Sequence, residues 1–87
     1  LQAYQALGAA AAEGNVLDAK TRELIALAVA VTTRCESCIS AHAEEAVKAG
    51  ASEAEVAAAL ATAIALNAGA AYTYSLRALE AYSVQKA

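Results

Sequence analysis

The sequence predicts an all-α fold, a compact bundle of about five helices. Its 87 residues include no proline, and about a third of them are alanine. Alanine has the highest helix propensity and proline the lowest. Apolar residues recur three and four positions apart, the spacing of one helix face. With 60% hydrophobic and 17% charged residues, the chain is too apolar to be disordered. At this length we expect one domain over residues 1–87.

Residues typical of helix ends predict where the first two helices begin and end. The first is predicted over residues 2–13, with a stop at Gly14. Asp18 is predicted to cap the second helix, because aspartate accepts hydrogen bonds from the free N–H groups at a helix start. This helix continues to about Thr33. It contains the apolar run LIALAVAVTT, residues 24–33, which indicates a helix buried in a core or a subunit interface.

The remaining helices follow from similar signals. The third is predicted to begin near Cys35 and to end before Gly50, since glycine readily adopts the left-handed conformation that closes many helices. The run SEAE pairs Ser52 with Glu55 as a capping box that begins the fourth helix. The run NAGA, residues 67–70, is predicted to interrupt that helix. A fifth helix follows, with an apolar stripe that we interpret as packing, formed by Tyr72, Leu76, Leu79 and Tyr82.

Size and charge limit the partners. A core of this size is marginal for a monomer, and alanine-rich helices bury few large side chains, so we expect an obligate homo-oligomer. A net charge of −3 with six scattered basic residues argues against a nucleic-acid partner, because binding nucleic acid needs clustered Lys and Arg.

The longest apolar run, residues 24–33, is too short for a bilayer, and no membrane partner is expected. No secretory signal is visible, which favours the cytoplasm. The start at Leu1 is consistent with a missing N-terminal piece.

The run CESCISAH, residues 35–42, holds both cysteines and the single histidine. If the third helix begins near Cys35, then Cys35, Cys38 and His42 share one helix face. Free N–H groups and the dipole at a helix start favour an anion, so we expect a thiol there to ionise below the ordinary cysteine pKa of about 8.5. Histidine titrates near neutral pH and could accept the proton of Cys38. The pattern predicts an activated nucleophile with a second thiol placed to form a disulfide.

A histidine base needs an orienting group, and Glu23 is the best candidate. It lies 11 residues before Arg34 and His42 lies 8 residues after it, so antiparallel helices that meet there could bring the two together to within about a turn. Other interpretations stay open: small cysteines buried by chance, a histidine that only packs, and a zinc site formed by Cys35, Cys38, His42 and Glu23. Structural zinc usually has a second Cys or His pair, and the sequence has none.

Residues 20–72, KTRELIALAVAVTTRCESCISAHAEEAVKAGASEAEVAAALATAIALNAGAAY, resemble the alkylhydroperoxidase D-like branch of the carboxymuconolactone decarboxylase family. The likeness combines Glu23, the CxxCxxxH motif, the segment ending KAGAS and the acidic capping box. It implies a helical subunit in homotrimers or homohexamers, with thiol-dependent peroxidase or disulfide reductase activity and without a metal or organic cofactor. It also implies that Cys38 attacks the peroxide, that Cys35 resolves the product, and that His42 and Glu23 relay protons.

Two departures from the family pattern bear on activity. Ser37 stands where the best-studied hydroperoxidases have a second histidine, and the glycine-rich segment near the end is reduced to residues 67–69. The lyase branch generally lacks the cysteine pair, which favours redox chemistry here. We therefore predict a cytoplasmic oxidoreductase that reduces hydroperoxides and is restored by an external dithiol. The alternatives are a lyase or other acid–base enzyme that uses His42 and Glu23, and a metal-binding structural oligomer.

Overall fold

Four α-helices and one short 3-10 turn form the computed structural model, which describes residues 1–87 and contains no strand. The all-α class predicted from the sequence is confirmed. The elements in chain order are α1 (Gln2–Ala11), the 3-10 turn (Glu13–Asn15), α2 (Ala19–Thr33), α3 (Glu36–Lys48) and α4 (Glu53–Lys86). The first three helices therefore begin and end within about two residues of the predicted positions.

Local hydrogen bonds fix the helix ends where the sequence signals place them. The Asp18 carboxylate accepts a hydrogen bond from the Thr21 backbone N–H at 2.8 Å, and this bond lowers the pKa of Asp18. Gly14, between α1 and α2, has a φ of 81°, and Gly50, after α3, has a φ of 86°. Glycine adopts this left-handed region without the steric cost that a side chain brings, so both positions act as helix stops.

The start of α4 is fixed by a capping box that also holds α2. The Glu55 backbone N–H donates to Ser52 Oγ at 3.1 Å, and the Ser52 N–H donates to Glu55 Oε1 at 2.9 Å. The other Glu55 oxygen accepts a hydrogen bond from Lys20 Nζ at 2.8 Å. This pair lowers the pKa of Glu55 and raises the pKa of Lys20, in each case chiefly through that hydrogen bond. One carboxylate thus caps α4 and joins it to α2.

The predicted break at residues 67–70 is wrong, because α4 continues through it as one helix of 34 residues. The Asn67 amide donates to the Ala63 carbonyl oxygen at 2.7 Å and to Thr32 Oγ1 at 3.1 Å, so this polar side chain is satisfied within the helix and against α2. A glycine inside a helix costs only about 1 kcal/mol relative to alanine, and a proline would cost about 3 kcal/mol. Gly69 is therefore not enough to end the helix, and the bundle has four helices rather than five.

The predicted compact shape is also wrong. The helix α2 packs against both α3 and α4, and the four buried residues of the chain are Leu27, Ala30, Ala46 and Ala63. The radius of gyration is 17.4 Å, whereas a compact chain of this length has about 12 Å. The main cause is α4, which at 34 residues is about 51 Å long and whose residues beyond Ala63 are all exposed.

The second half of α4, residues 70–86, has many exposed apolar side chains. Side chains exposed over more than half of their surface there include Tyr72, Tyr74, Leu76, Leu79, Tyr82 and Val84. By length and composition alone, α4 could cross a membrane, and it is the one helix in the chain of which this is true. A single helix of this kind is weak evidence for a membrane span, because core helices meet the same criterion. The absence of a membrane partner stays a prediction.

Candidate functional site

A tight reversal after α2 positions the cysteine pair. Arg34 adopts the left-handed conformation, with φ 56° and ψ 46°, and the next residue, Cys35, donates its backbone N–H to the Ala30 carbonyl oxygen at 3.0 Å. Cys35 is then the N-cap of α3, and its Sγ accepts a hydrogen bond from the Cys38 backbone N–H at 3.3 Å. The α2–α3 turn therefore places the sulfur atoms at a helix start, as the sequence predicts.

The two cysteines form a disulfide within the first turn of α3. Their Cα atoms lie 5.2 Å apart, within the usual range of about 4.4–6.8 Å for bridged cysteines. Both residues are half-buried. The Ser37 hydroxyl lies 3.6 Å from Cys35 Sγ. The CxxC spacing at the start of α3 therefore suits a disulfide within one helical turn.

The antiparallel arrangement of α2 and α3 brings Glu23 against His42. Glu23 Oε1 lies 2.6 Å from His42 Nδ1, and the two side chains retain 21% and 33% of their exposure. The residue counts from Arg34 along the two helices predicted that this contact was possible. When Nδ1 carries a hydrogen and donates it in a hydrogen bond to the carboxylate, Nε2 has a free lone pair. The pair can therefore hold the imidazole ready to take a proton at Nε2.

A shallow groove of about 280 Å³ has both Cys38 and His42 in its lining. It is lined by Tyr4, Ala26, Val29, Ala30, Thr33, Cys38 and His42. Most of these side chains are apolar, and one of them, Tyr4, comes from α1. Tyr4 is not among the site residues predicted from the sequence, because nothing in the order of residues indicates that α1 lies beside the α2–α3 turn. Cys38 and His42 thus face the same space, which is where a small substrate could meet both.

The zinc interpretation receives no geometric support. No group of three or more His, Cys, Asp or Glu side chains converges as a metal site. The sulfurs of Cys35 and Cys38 are bonded to each other, and Glu23 accepts from the ring nitrogen of His42 instead of standing beside the sulfurs as a fourth ligand.

Comparison with known proteins identifies the family. The family model described as "Carboxymuconolactone decarboxylase family" matches residues 1–81. A curated protein of Paracoccus denitrificans, "Uncharacterized protein 4 in cox locus", is 38% identical over 77 residues, which cover 88% of this chain and 69% of that protein. Its name states no activity. On these two matches, and with the all-helical fold that the family shares, this chain belongs to the carboxymuconolactone decarboxylase family.

Proposed function

We propose that the protein is a thiol-dependent oxidoreductase of the alkylhydroperoxidase D-like branch, which reduces hydroperoxides. The family includes both peroxidases of this branch and decarboxylases. The observation that favours the redox branch is a bonded cysteine pair one helical turn from an imidazole that a carboxylate orients. A lyase needs no disulfide, whereas the reaction of a dithiol peroxidase with peroxide produces one, which a reductant then opens.

The cycle begins with Cys38, which shares the groove with His42. His42 Nε2 takes the thiol proton, and the thiolate attacks one peroxide oxygen. The O–O bond breaks, Cys38 becomes a sulfenic acid, and the alkoxide takes a proton from His42 to leave as an alcohol. The Cys35 sulfur then attacks Cys38 Sγ and water departs, which forms the disulfide. An external dithiol supplies two electrons and two protons to restore both thiols.

Mass spectrometry of the reduced protein after one equivalent of tert-butyl hydroperoxide tests this cycle. We expect the chain to lose two hydrogens, about 2 Da, as the disulfide forms. The Cys38→Ala variant should not react. The Cys35→Ala variant should stop at the sulfenic acid, which dimedone traps. As a matched control, Ser40→Ala on the exposed face of α3 should react like the parent. Unchanged thiols in the parent protein would refute the proposed function.

Acid–base catalysis by His42 and Glu23 alone is the second candidate. It is favoured by the fact that their contact does not involve either sulfur and that the family includes decarboxylases. The Cys35→Ser/Cys38→Ser double variant separates the two functions, because it removes every redox step and leaves the imidazole and carboxylate in place. Lactone decarboxylation that survives in this variant would support the lyase.

The proposed enzyme acts as a homo-oligomer, a trimer or hexamer, in the cytoplasm. The single chain exposes 6816 Å², whereas a compact monomer of 8.7 kDa exposes about 4,700 Å². The excess of about 2,100 Å² per chain is enough for an obligate interface, which buries about 2,000–5,000 Å² in total. The apolar half of α4 is the surface that such an interface would cover.

Sedimentation velocity over a range of concentrations tests self-association. We expect one oligomeric species in the parent protein. Leu76→Glu, which puts a charge into the apolar stripe of α4, should shift it toward the monomer, while Ser75→Glu on the adjacent face should have less effect. A parent protein that stays monomeric at every concentration would refute the oligomer.

A further inference from the structure

The two sulfurs of the disulfide have different surroundings. Cys35 Sγ has two hydrogen-bond donors beside it, the Cys38 backbone N–H at 3.3 Å and the Ser37 hydroxyl at 3.6 Å. A sulfur in a disulfide carries no hydrogen, so the hydroxyl is the donor. Cys38 Sγ makes no hydrogen bond, and Cys38 instead lines the groove beside His42. Cys35 Sγ thus has two donors beside it, whereas Cys38 lines the groove and its sulfur accepts no hydrogen bond.

We propose that Ser37 makes Cys35 the leaving group when the disulfide is reduced, which directs the incoming reductant to Cys38. This inference rests on the proposed redox function and concerns the half of the cycle that restores the thiols. A thiolate of the reductant attacks Cys38 Sγ and forms a mixed disulfide there. The protein S–S bond breaks, and its electron pair stays on Cys35 Sγ, which leaves as a thiolate. The second thiol of the reductant then attacks the reductant sulfur of the mixed disulfide and releases Cys38.

Two independent features favour this direction. The first is leaving-group stability: hydrogen bonds to an anion are stronger than those to a neutral sulfur, and a thiol that forms a more stable thiolate leaves faster in disulfide exchange. The second is position, because Cys38 lines the groove beside His42 and Cys35 does not, although both residues are half-buried. The Ser37 hydroxyl beside Cys35 Sγ therefore acts on the reductive step.

Mapping the mixed disulfide tests the direction of attack. The oxidised protein is mixed with excess glutathione, quenched with acid after seconds, and digested with trypsin. Cleavage after Arg34 and after Lys48 releases one peptide, residues 35–48, and fragmentation locates the glutathione. We expect at least about threefold more glutathione on Cys38 than on Cys35, since one hydrogen bond to a partly exposed anion changes a ratio by about that factor. Glutathione found mainly on Cys35 would overturn the proposal.

Two serine variants assign the effect to Ser37. In Ser37→Ala the preference for Cys38 should fall toward equal labelling, whereas Ser40→Ala, one turn along α3 and also exposed, should keep the parent ratio. Circular dichroism confirms that both variants keep their helices. If Ser37→Ala and Ser40→Ala give the same distribution, Ser37 has no part in the direction of exchange.

A measurement on a lone thiol separates this inference from the peroxidase activity. In a Cys38→Ala background, the thiolate absorbance at 240 nm reports the ionised fraction of Cys35 alone. Adding Ser37→Ala should lower that fraction at pH 7 about threefold, and adding Ser40→Ala should not. The result does not depend on peroxide. A parent protein that fails to consume peroxide but directs glutathione to Cys38, with a preference that Ser37→Ala removes, would refute the proposed function and leave the role of Ser37 standing.

Discussion

Replacing Glu23 with glutamine removes the negative charge beside His42 and keeps an oxygen that can accept the Nδ1 hydrogen bond. A hydrogen bond to a charged group contributes about 1.5–3 kcal/mol and a neutral one about 0.5–1.5 kcal/mol. Both side chains retain some solvent contact, at 21% and 33% exposure, so the lower part of each range applies. The expected loss is about 1 kcal/mol, which corresponds to about a fivefold slower reaction.

The assay is single-turnover oxidation of the reduced protein by tert-butyl hydroperoxide, quenched with acid and quantified by mass spectrometry. Glu23→Gln should react about fivefold more slowly, and Glu23→Ala, which also removes the acceptor, at least about tenfold more slowly. Glu80→Gln, at an exposed position on α4, is the matched control and should react at the parent rate.

A double-variant cycle shows whether the carboxylate acts through the imidazole. If it does, Glu23→Ala should cause no further loss in a protein that already carries His42→Ala. A Glu23→Gln rate equal to that of Glu80→Gln, or losses from Glu23→Ala and His42→Ala that simply add, would refute the proposed relay.

Three further predictions concern folding and the groove. Ser52→Ala should lower the free energy of unfolding by about 1 kcal/mol through the lost capping box, measured by urea denaturation against Ser40→Ala; an unchanged midpoint would contradict it. The folded-state pKa of Glu55 lies below its ordinary value of 4.5. The ionised carboxylate therefore stabilises the fold above about pH 4.5, and this stabilisation is lost as the pH falls through the folded-state pKa. The melting temperature of Glu55→Gln should therefore fall less steeply with decreasing pH than that of the parent protein. An equally steep fall in both proteins would count against the ion pair with Lys20. Tyr4→Ala should change kcat/KM for a bulky hydroperoxide more than for hydrogen peroxide, whereas equal changes would place Tyr4 outside the substrate path.

Features fixed by hydrogen bonds within one helical turn were predictable from the sequence. The caps at Asp18 and Ser52 are formed as predicted, because donor and acceptor are three residues apart. The contact between Glu23 and His42 spans 19 residues, yet it follows from counting rises along two helices that meet at one short turn. The sequence therefore indicates both the helix ends and the main pair of the candidate site.

Features that depend on distant partners were not predictable in this way. Asn67 looks like a helix breaker by local propensity, but its second acceptor, Thr32, lies 35 residues away, and local propensity carries no information about it. The elongated shape has a similar origin, since it depends on where the second half of α4 lies relative to the other helices. Tyr4 joins the groove for the same reason, through the placement of α1 beside α2.

The disulfide closes a ring with only two residues between its cysteines. A cross-link over so short a span restricts the unfolded chain less than one between distant residues, and stabilises the fold by about 1–2 kcal/mol. Opening it therefore removes only that small part of the free energy of unfolding. The fold should tolerate repeated electron transfer, and the melting temperatures of the fully reduced and fully oxidised protein should differ by less than the loss of a disulfide between distant residues would cause.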